Sequence, residues 1–322
     1  MKSNYFTLPL AIALVAVFSL VSCNKDKKAF RNEDGSSTVD NRTCQSENDA
    51  AVSDVNDVVG NQNTMRGKGT EVSGTTGVMG NICGLTIDTT GAKTGTLRLN
   101  YNGTTCNNRT RTGTIVVSIV DYSTGKRWRT QGAILKLEYQ SYKITRASDS
   151  KSVQFDGVQY ITNESGGTWW ELFIIKTQTE LRHAISGSDL KVTFEDGKTA
   201  TYNINRRVTY SFPNNIVTVK AEGTGSNNGL SNLENYGTTR DGDAFTSQVK
   251  TPIIWNLTCG AGAPIQGEVD LAVASKAFVL NCLFGTDKEG NPVTVGSNSC
   301  PYGWRLKWSY KNDTKTKVYG YN

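Results

Sequence analysis

From about Ile82 onward, apolar and polar residues alternate one by one along much of the chain. Leu97, Leu99 and Tyr101 interleave with Arg98 and Asn100, and Leu135, Leu137 and Tyr139 with Lys136 and Glu138. Val192 and Phe194 run into Glu195-Asp196-Gly197-Lys198, after which Ala200, Tyr202 and Ile204 alternate with Thr199, Thr201 and Asn203. Near the end, Trp304, Leu306, Trp308 and Tyr310 share one parity, with Arg305, Lys307 and Ser309 on the other. A period of two places alternate side chains on opposite faces of a strand, and clean in/out alternation marks antiparallel strands with one wetted face. Asp196-Gly197 between two such runs predicts a hairpin whose central residues take positive φ. Short strands and frequent turn residues predict an all-β chain, an antiparallel sandwich or an extended twisted sheet over residues 82–322, as one unit or two related ones.

The period changes only near the N-terminus. In SENDAAVSDVNDVVG, Ser46 is placed as an N-cap with Asp49 at the capping-box position, and Val52, Val55 and Val59 share a helical face before Gly60. The spacing predicts one short helix over about 47–59, followed by a Gly/Thr/Asn-rich loop within 46–81. Residues 23–45 lack an apolar period and read as a flexible tether.

Ahead of the tether lies a charged start, Lys2, and an apolar run from Leu8 to Val21. The run is short for a membrane span, which needs roughly 20 apolar residues, and fits an export signal over residues 1–22. It ends on Leu20-Val21-Ser22-Cys23, which resembles the lipobox of bacterial lipoproteins, Leu-x-small-Cys. The resemblance implies that Cys23 is lipidated and becomes the first residue of the mature chain, with palmitate-type chains holding it to the bacterial outer membrane. Two or three chains are needed for stable attachment, at about 0.8 kcal/mol per buried methylene. Which face of that membrane the chain occupies is left open by the sequence.

The 35 basic and 29 acidic residues are dispersed, without a basic run that would suggest nucleic acid. The expected partners are the membrane, through the anchor, and envelope polysaccharides or proteins. Besides Cys23 there are six cysteines, Cys44, Cys83, Cys106, Cys259, Cys282 and Cys300. An even number in an exported chain reads as disulfides, and all six are candidates, Cys83–Cys106 being the preferred pair. A lone histidine and the lack of a CxxC pair argue against zinc and haem, and no cofactor is expected. An internal echo relates the two ends of the body. Cys83 and Cys106 have the same spacing as Cys259 and Cys282, but a local alignment instead equates Cys106 with Cys300.

The body as a whole resembles the β-rich lipoproteins of Bacteroidetes-type bacteria, through CGLTIDTTG, the run from Cys106 to Gly113, FEDGKTATYNINRRVTYSF and TTRDGDAFTSQVKTPIIWNLTC. That resemblance implies a β-domain and no reaction. Asp88-Thr89-Thr90 is similar to O-glycosylation sites of those bacteria, with Thr89 as the acceptor.

Catalytic chemistry finds little to use. His183 has no second histidine and no GxSxG nucleophile elbow, and reads as an ordinary surface or loop residue. A glycoside hydrolase would need two carboxylates, for which Glu164, Glu171, Asp241 and Asp243 are the candidates. Asp241-Gly242-Asp243 and the Asp287–Asn291 segment carry clustered oxygen ligands but read better as turns than as calcium loops. The Gly223–Gly229 cluster is not a phosphate loop, since no Lys follows it. Trp169 and Trp170, read as neighbours on a strand, would point to opposite faces, making one of them a possible ligand-stacking surface. The sequence thus predicts a lipid-anchored, non-catalytic envelope protein with a structural or adhesive role. Glycan binding is the first alternative and carbohydrate hydrolysis the second.

Overall fold

The computed structural model describes residues 32–60, 72–73, 76–77, 80–106, 108–260, 263–274, 278–294, 299–310 and 313–321. The signal segment, Cys23 and the first part of the expected tether lie outside these. The first described element is helix α1 (Asn32–Gly60), followed by the two-residue strands β1 (Val72–Ser73), β2 (Thr76–Gly77) and β3 (Gly80–Asn81). Then come β4 (Leu85–Asp88), β5 (Thr96–Cys106), β6 (Arg109–Ile119), β7 (Ala133–Arg146), β8 (Ser152–Asn163) and β9 (Glu180–Phe194). The next are β10 (Thr199–Ser211), β11 (Thr218–Gly223), β12 (Gly225–Asn227), β13 (Leu230–Thr238) and β14 (Ala244–Asn256). The last four are β15 (Pro264–Val273), β16 (Phe278–Thr286), β17 (Gly303–Tyr310) and β18 (Asp313–Gly320).

All pairings in the main sheet are antiparallel, and hydrogen bonding runs unbroken from β1 through β4 to β11, then β14 to β18, with β13 wedged between β10 and β14 and pairing β12. This is the all-β architecture that the alternation predicts, in its extended form. Burial follows parity: Leu97, Leu99 and Tyr101 are buried, as are Leu135, Leu137 and Tyr139, and Leu306 and Trp308. Hairpin chemistry falls differently from the expectation. The Glu195–Lys198 turn forms, but only Gly197 has positive φ (79°), so it is a four-residue turn. The two-residue turn with both φ positive is Asn228-Gly229 (49° and 79°), inside the glycine cluster, joining β12 to β13.

The helix is much longer than the period predicts. It starts at Asn32 rather than near 47, so most of the stretch expected to be a tether is structured, with Ser37, Thr38, Asn41 and Cys44 buried. The physical reason lies in what surrounds it. Seven successive residues, Ser46 to Val52, are all buried, which covers every face over about two turns. A polar helix normally faces water. Here the sheet encloses it: Tyr101 on β5 and Phe284 on β16 both reach α1. Those strands are nine spacings apart in the sheet order, roughly 43 Å on the flat at about 4.8 Å each. A helix some 10 Å across can touch both only if the sheet curls round it. Lengths also match, since 29 residues of helix span about 44 Å and the 14 residues of β7 about 46 Å. No helix among the described residues is long and apolar enough to cross a membrane.

Two disulfides form. Cys83–Cys106 is the preferred pair, and Cys259 joins Cys300. Cys44 and Cys282 are corrections to the expected set: both are buried free thiols. Cys44 lies against Tyr202 and Cys282 against Arg42, and burial pushes both thiols up, so they stay protonated. Of the two internal alignments, the one equating Cys106 with Cys300 has the cysteines that pair. Each disulfide sits at strand ends or approaches: Cys83 precedes β4 and Cys106 ends β5, while Cys259 follows β14 and Cys300 precedes β17.

Candidate functional site

The polar groups of α1 are met one by one by side chains from the strands. Arg109 of β6 binds Glu47 at 2.7 Å and Arg111 binds Asp54 at 2.8 Å. Arg206 of β10 pairs with Asp49, both nearly inaccessible to solvent. The polarity reverses at Arg42, which lies 3.5 Å from Glu234 of β13, a carboxylate that also accepts from Gln45 (2.8 Å) and Ser247 (2.7 Å). Between these pairs, Asn48 donates to Tyr139 (3.1 Å) and Gln159 (2.9 Å), and Gln159 donates back to Asn48 at 3.1 Å. Each charged member faces an opposite charge, which offsets its desolvation in part, while Glu47 Oε2 and Arg206 Nε have no hydrogen-bond partner among the described residues. Of these groups the sequence singles out only Asp49, as a capping-box residue beside Ser46; both lie mid-helix instead, and the Asp49 carboxylate goes to Arg206. The available signal was parity: Tyr202, Ile204, Arg206, Val208 and Tyr210 are all buried on one face of β10, so a charge stands in an apolar stripe.

At the N-terminal side of the helix these pairs open into a cleft of about 380 Å³, solvent at its mouth included. Asp40, Thr43 and Glu47 form one wall, and Arg146, Lys151, Ser152, Phe194, Glu195 and Arg240 contribute to the rest. Arg240 organises it: its guanidinium binds Asp40 at 2.7 Å, lies 3.5 Å from Glu195 and from Asp196, and covers the Phe194 ring at 3.8 Å. Burial raises Asp40 to about 6 against the pull of Arg240. Three acids and three bases line the cleft, so it carries no net sign to attract one class of ligand.

The hydrolase candidates do not converge there. Glu164 accepts two bonds from Arg207 (2.7 and 2.9 Å), and Glu171 is held by Arg129 and by Thr168 at 2.7 Å, both in the β8–β9 loop. Asp241 binds Lys198 at 2.7 Å, and the main-chain carbonyl of Asp243 closes the β13–β14 turn by accepting from the Thr239 N–H (2.8 Å), at the opposite end of the sheet. Asp287 accepts from the backbone N–H of Asn291 at 2.8 Å, which makes that segment a turn. Among the described residues, no three His, Cys, Asp or Glu side chains gather as a metal site. Thr89 follows Asp88, whose carboxylate accepts from the Thr90 N–H at 2.9 Å.

His183 corrects the expectation of a surface residue. It is 2% exposed on β9, between Leu181 and Ile185 on the same parity, and its ring lies 5.1 Å from Trp128 and 5.7 Å from Tyr210. Neither ring nitrogen has a hydrogen-bond partner among the described residues, and burial lowers its pKa to about 4, so it is neutral. The two tryptophans are not on a strand. Gly166 and Gly167, both with positive φ (73° and 74°), turn the chain into a single wide helical turn, Trp170–Ile174. At Gly167 the φ of 74° would strain any other side chain, and Gln178 would have to move aside to admit a Cβ. Trp169 is withdrawn as a stacking surface, because it is buried against Phe173, His183 and Tyr210 and lies 3.5 Å from the position a Cβ on Gly60 would take. Trp170 remains exposed.

No protein-family model, curated protein or solved structure matches the chain.

Proposed function

We propose that this is a lipid-anchored envelope protein with a non-catalytic, structural or adhesive role, held to the outer membrane by acylated Cys23. The observation that carries the reading is the route from anchor to core. Eight residues, 24–31, separate Cys23 from a helix that five ion pairs lock inside the sheet. Eight residues reach at most about 28 Å, so the folded body stays close to the anchoring surface. Any pull on the anchor passes straight into the interior of the fold. A scaffold or adhesin needs this mechanical continuity. Of the carboxylates a hydrolase would have to present, Glu164 is held by Arg207, Glu171 by Arg129 and Asp241 by Lys198. The glycan alternative keeps Trp170 only. Among the described residues the other exposed large aromatics are Tyr160, on β8, and Tyr302, just ahead of β17.

The test is Cys23→Ala in the native host, followed by lipid labelling and by the size of the accumulated chain. The expected result is an unlabelled precursor that retains its signal segment. Normal labelling and maturation would overturn the anchor, and with it the reading.

A further inference from the structure

The β8–β9 loop exposes an apolar tip. Trp170 is 40% exposed and Ile174 and Ile175 are each 50% exposed, three of the seven large apolar side chains that stand out on the described surface, within six residues. The spacing i, i+4, i+5 on one wide turn puts them on one side, while Leu172 and Phe173 point inward. The turn is built rather than loose. Phe173 packs on Trp169 and Phe212, the Ile175 N–H donates to the Trp170 carbonyl at 3.0 Å, and Asn163 ties the loop by donating to the Gly167 carbonyl at 2.9 Å.

The surroundings of the tip are basic. The β6–β7 loop lies beside it, joined by Gly167 donating to the Arg129 carbonyl at 2.8 Å, and brings Lys126 and Arg127; Lys176 follows the tip directly. The acids Glu164, Glu171 and Glu180 at this end are each held by an arginine, leaving Asp121 and, farther off, Asp88 with Lys93. A tryptophan with two isoleucines, rimmed by lysine and arginine, is the composition that seats in an anionic lipid interface.

We propose that Trp170, Ile174 and Ile175 form a membrane-docking tip that inserts into an anionic lipid surface, steadied by Lys126, Arg127 and Lys176. The tip stands at the Gly60 end of α1, about 44 Å along the helix from Asn32, the end nearest Cys23. The contact is therefore separate from the proposed anchor and does not depend on it.

The experiment uses the mature chain from residue 23 with Cys23→Ser, so that no acyl chain contributes. It is co-sedimented with phosphatidylglycerol vesicles and with phosphatidylcholine vesicles. The expected result is binding to the anionic vesicles, with the triple variant W170S/I174S/I175S at least about tenfold weaker and unchanged in thermal unfolding. K126E/R127E should weaken binding and its salt dependence together. Failure to bind anionic vesicles, or equal binding by the triple variant, would overturn the proposal. So would a self-associated chain that the triple variant turns monomeric, since the patch would then be a protein interface.

Discussion

The helix meets the sheet in two different ways along its length. From Asp40 to Asp54, each ionised side chain that the strands enclose faces an opposite charge: Asp40, Arg42, Glu47, Asp49 and Asp54 each have one. In the last turn, Asp57 has burial and the like charge of Asp54 acting on it and no cation, which raises its pKa to about 8. It also sits at the negative end of the helix dipole. One ring beyond Gly60, His183 is buried with both nitrogens unpaired. The difference teaches that the fold tolerates interior charge where a strand returns a partner, and keeps interior groups neutral where it does not. Mutating a paired group strands its partner, whereas pH acts on both kinds: burial raises Asp40 and Asp49 to about 6 despite their arginines, and the unpaired Asp57 further, to about 8.

The largest expected effect breaks a pair. Arg206→Ala strands the Asp49 carboxylate inside the sheet and should cost about 3–5 kcal/mol in urea unfolding at pH 7. A loss under 1 kcal/mol would mean that water reaches Asp49 and that the enclosed helix is not dry. The next effect is on the acid side. His183 has a folded pKa near 4, below the ordinary value of 6.5. The unfolded chain therefore takes up the proton first, and stability falls from pH 6.5 down to about 4, by roughly 3 kcal/mol. His183→Phe should flatten that limb of the stability profile, and an unchanged slope would place the proton uptake elsewhere. The smallest effect is alkaline. With its folded pKa raised to about 8, Asp57 supports folding fully only below the unfolded value of 3.8, and that support is gone above about 8. Asp57→Asn should match the parent near pH 4 and exceed it by roughly 2 kcal/mol at pH 9, after allowance for partial exposure. Equal stability at both pH values would show that Asp57 ionises freely.

Those contrasts also mark what could be read from the sequence. Alternation is a local property, so the strands around Leu97, Leu135 and Trp304 were legible, as was the bridge between Cys83 and Cys106. The helix was legible only where valines supply an apolar period. Its first half is held by side chains far away in sequence, Asp40 by Arg240, 200 residues on, and Arg42 by Glu234, 192 residues on. No local pattern carries such a pairing. His183 and Arg206 were half legible: each occupies an inward parity between apolar neighbours, which signals burial without naming the partner. Trp169 was misplaced because two glycines turn the chain out of strand geometry just before it.

The order in which the elements leave the ribosome gives the polar helix a further meaning. It emerges first, whereas Arg206, Glu234 and Arg240 emerge more than a hundred residues later. An apolar helix exposed for that interval would seek any greasy surface, including another nascent chain. A segment as polar as NEDGSSTVDNRTCQSENDAAVSDVNDVVG can wait in water, only marginally helical by itself, until the sheet arrives to close around it. The charges that look costly in the finished interior keep the newborn chain soluble while its enclosure is still being made.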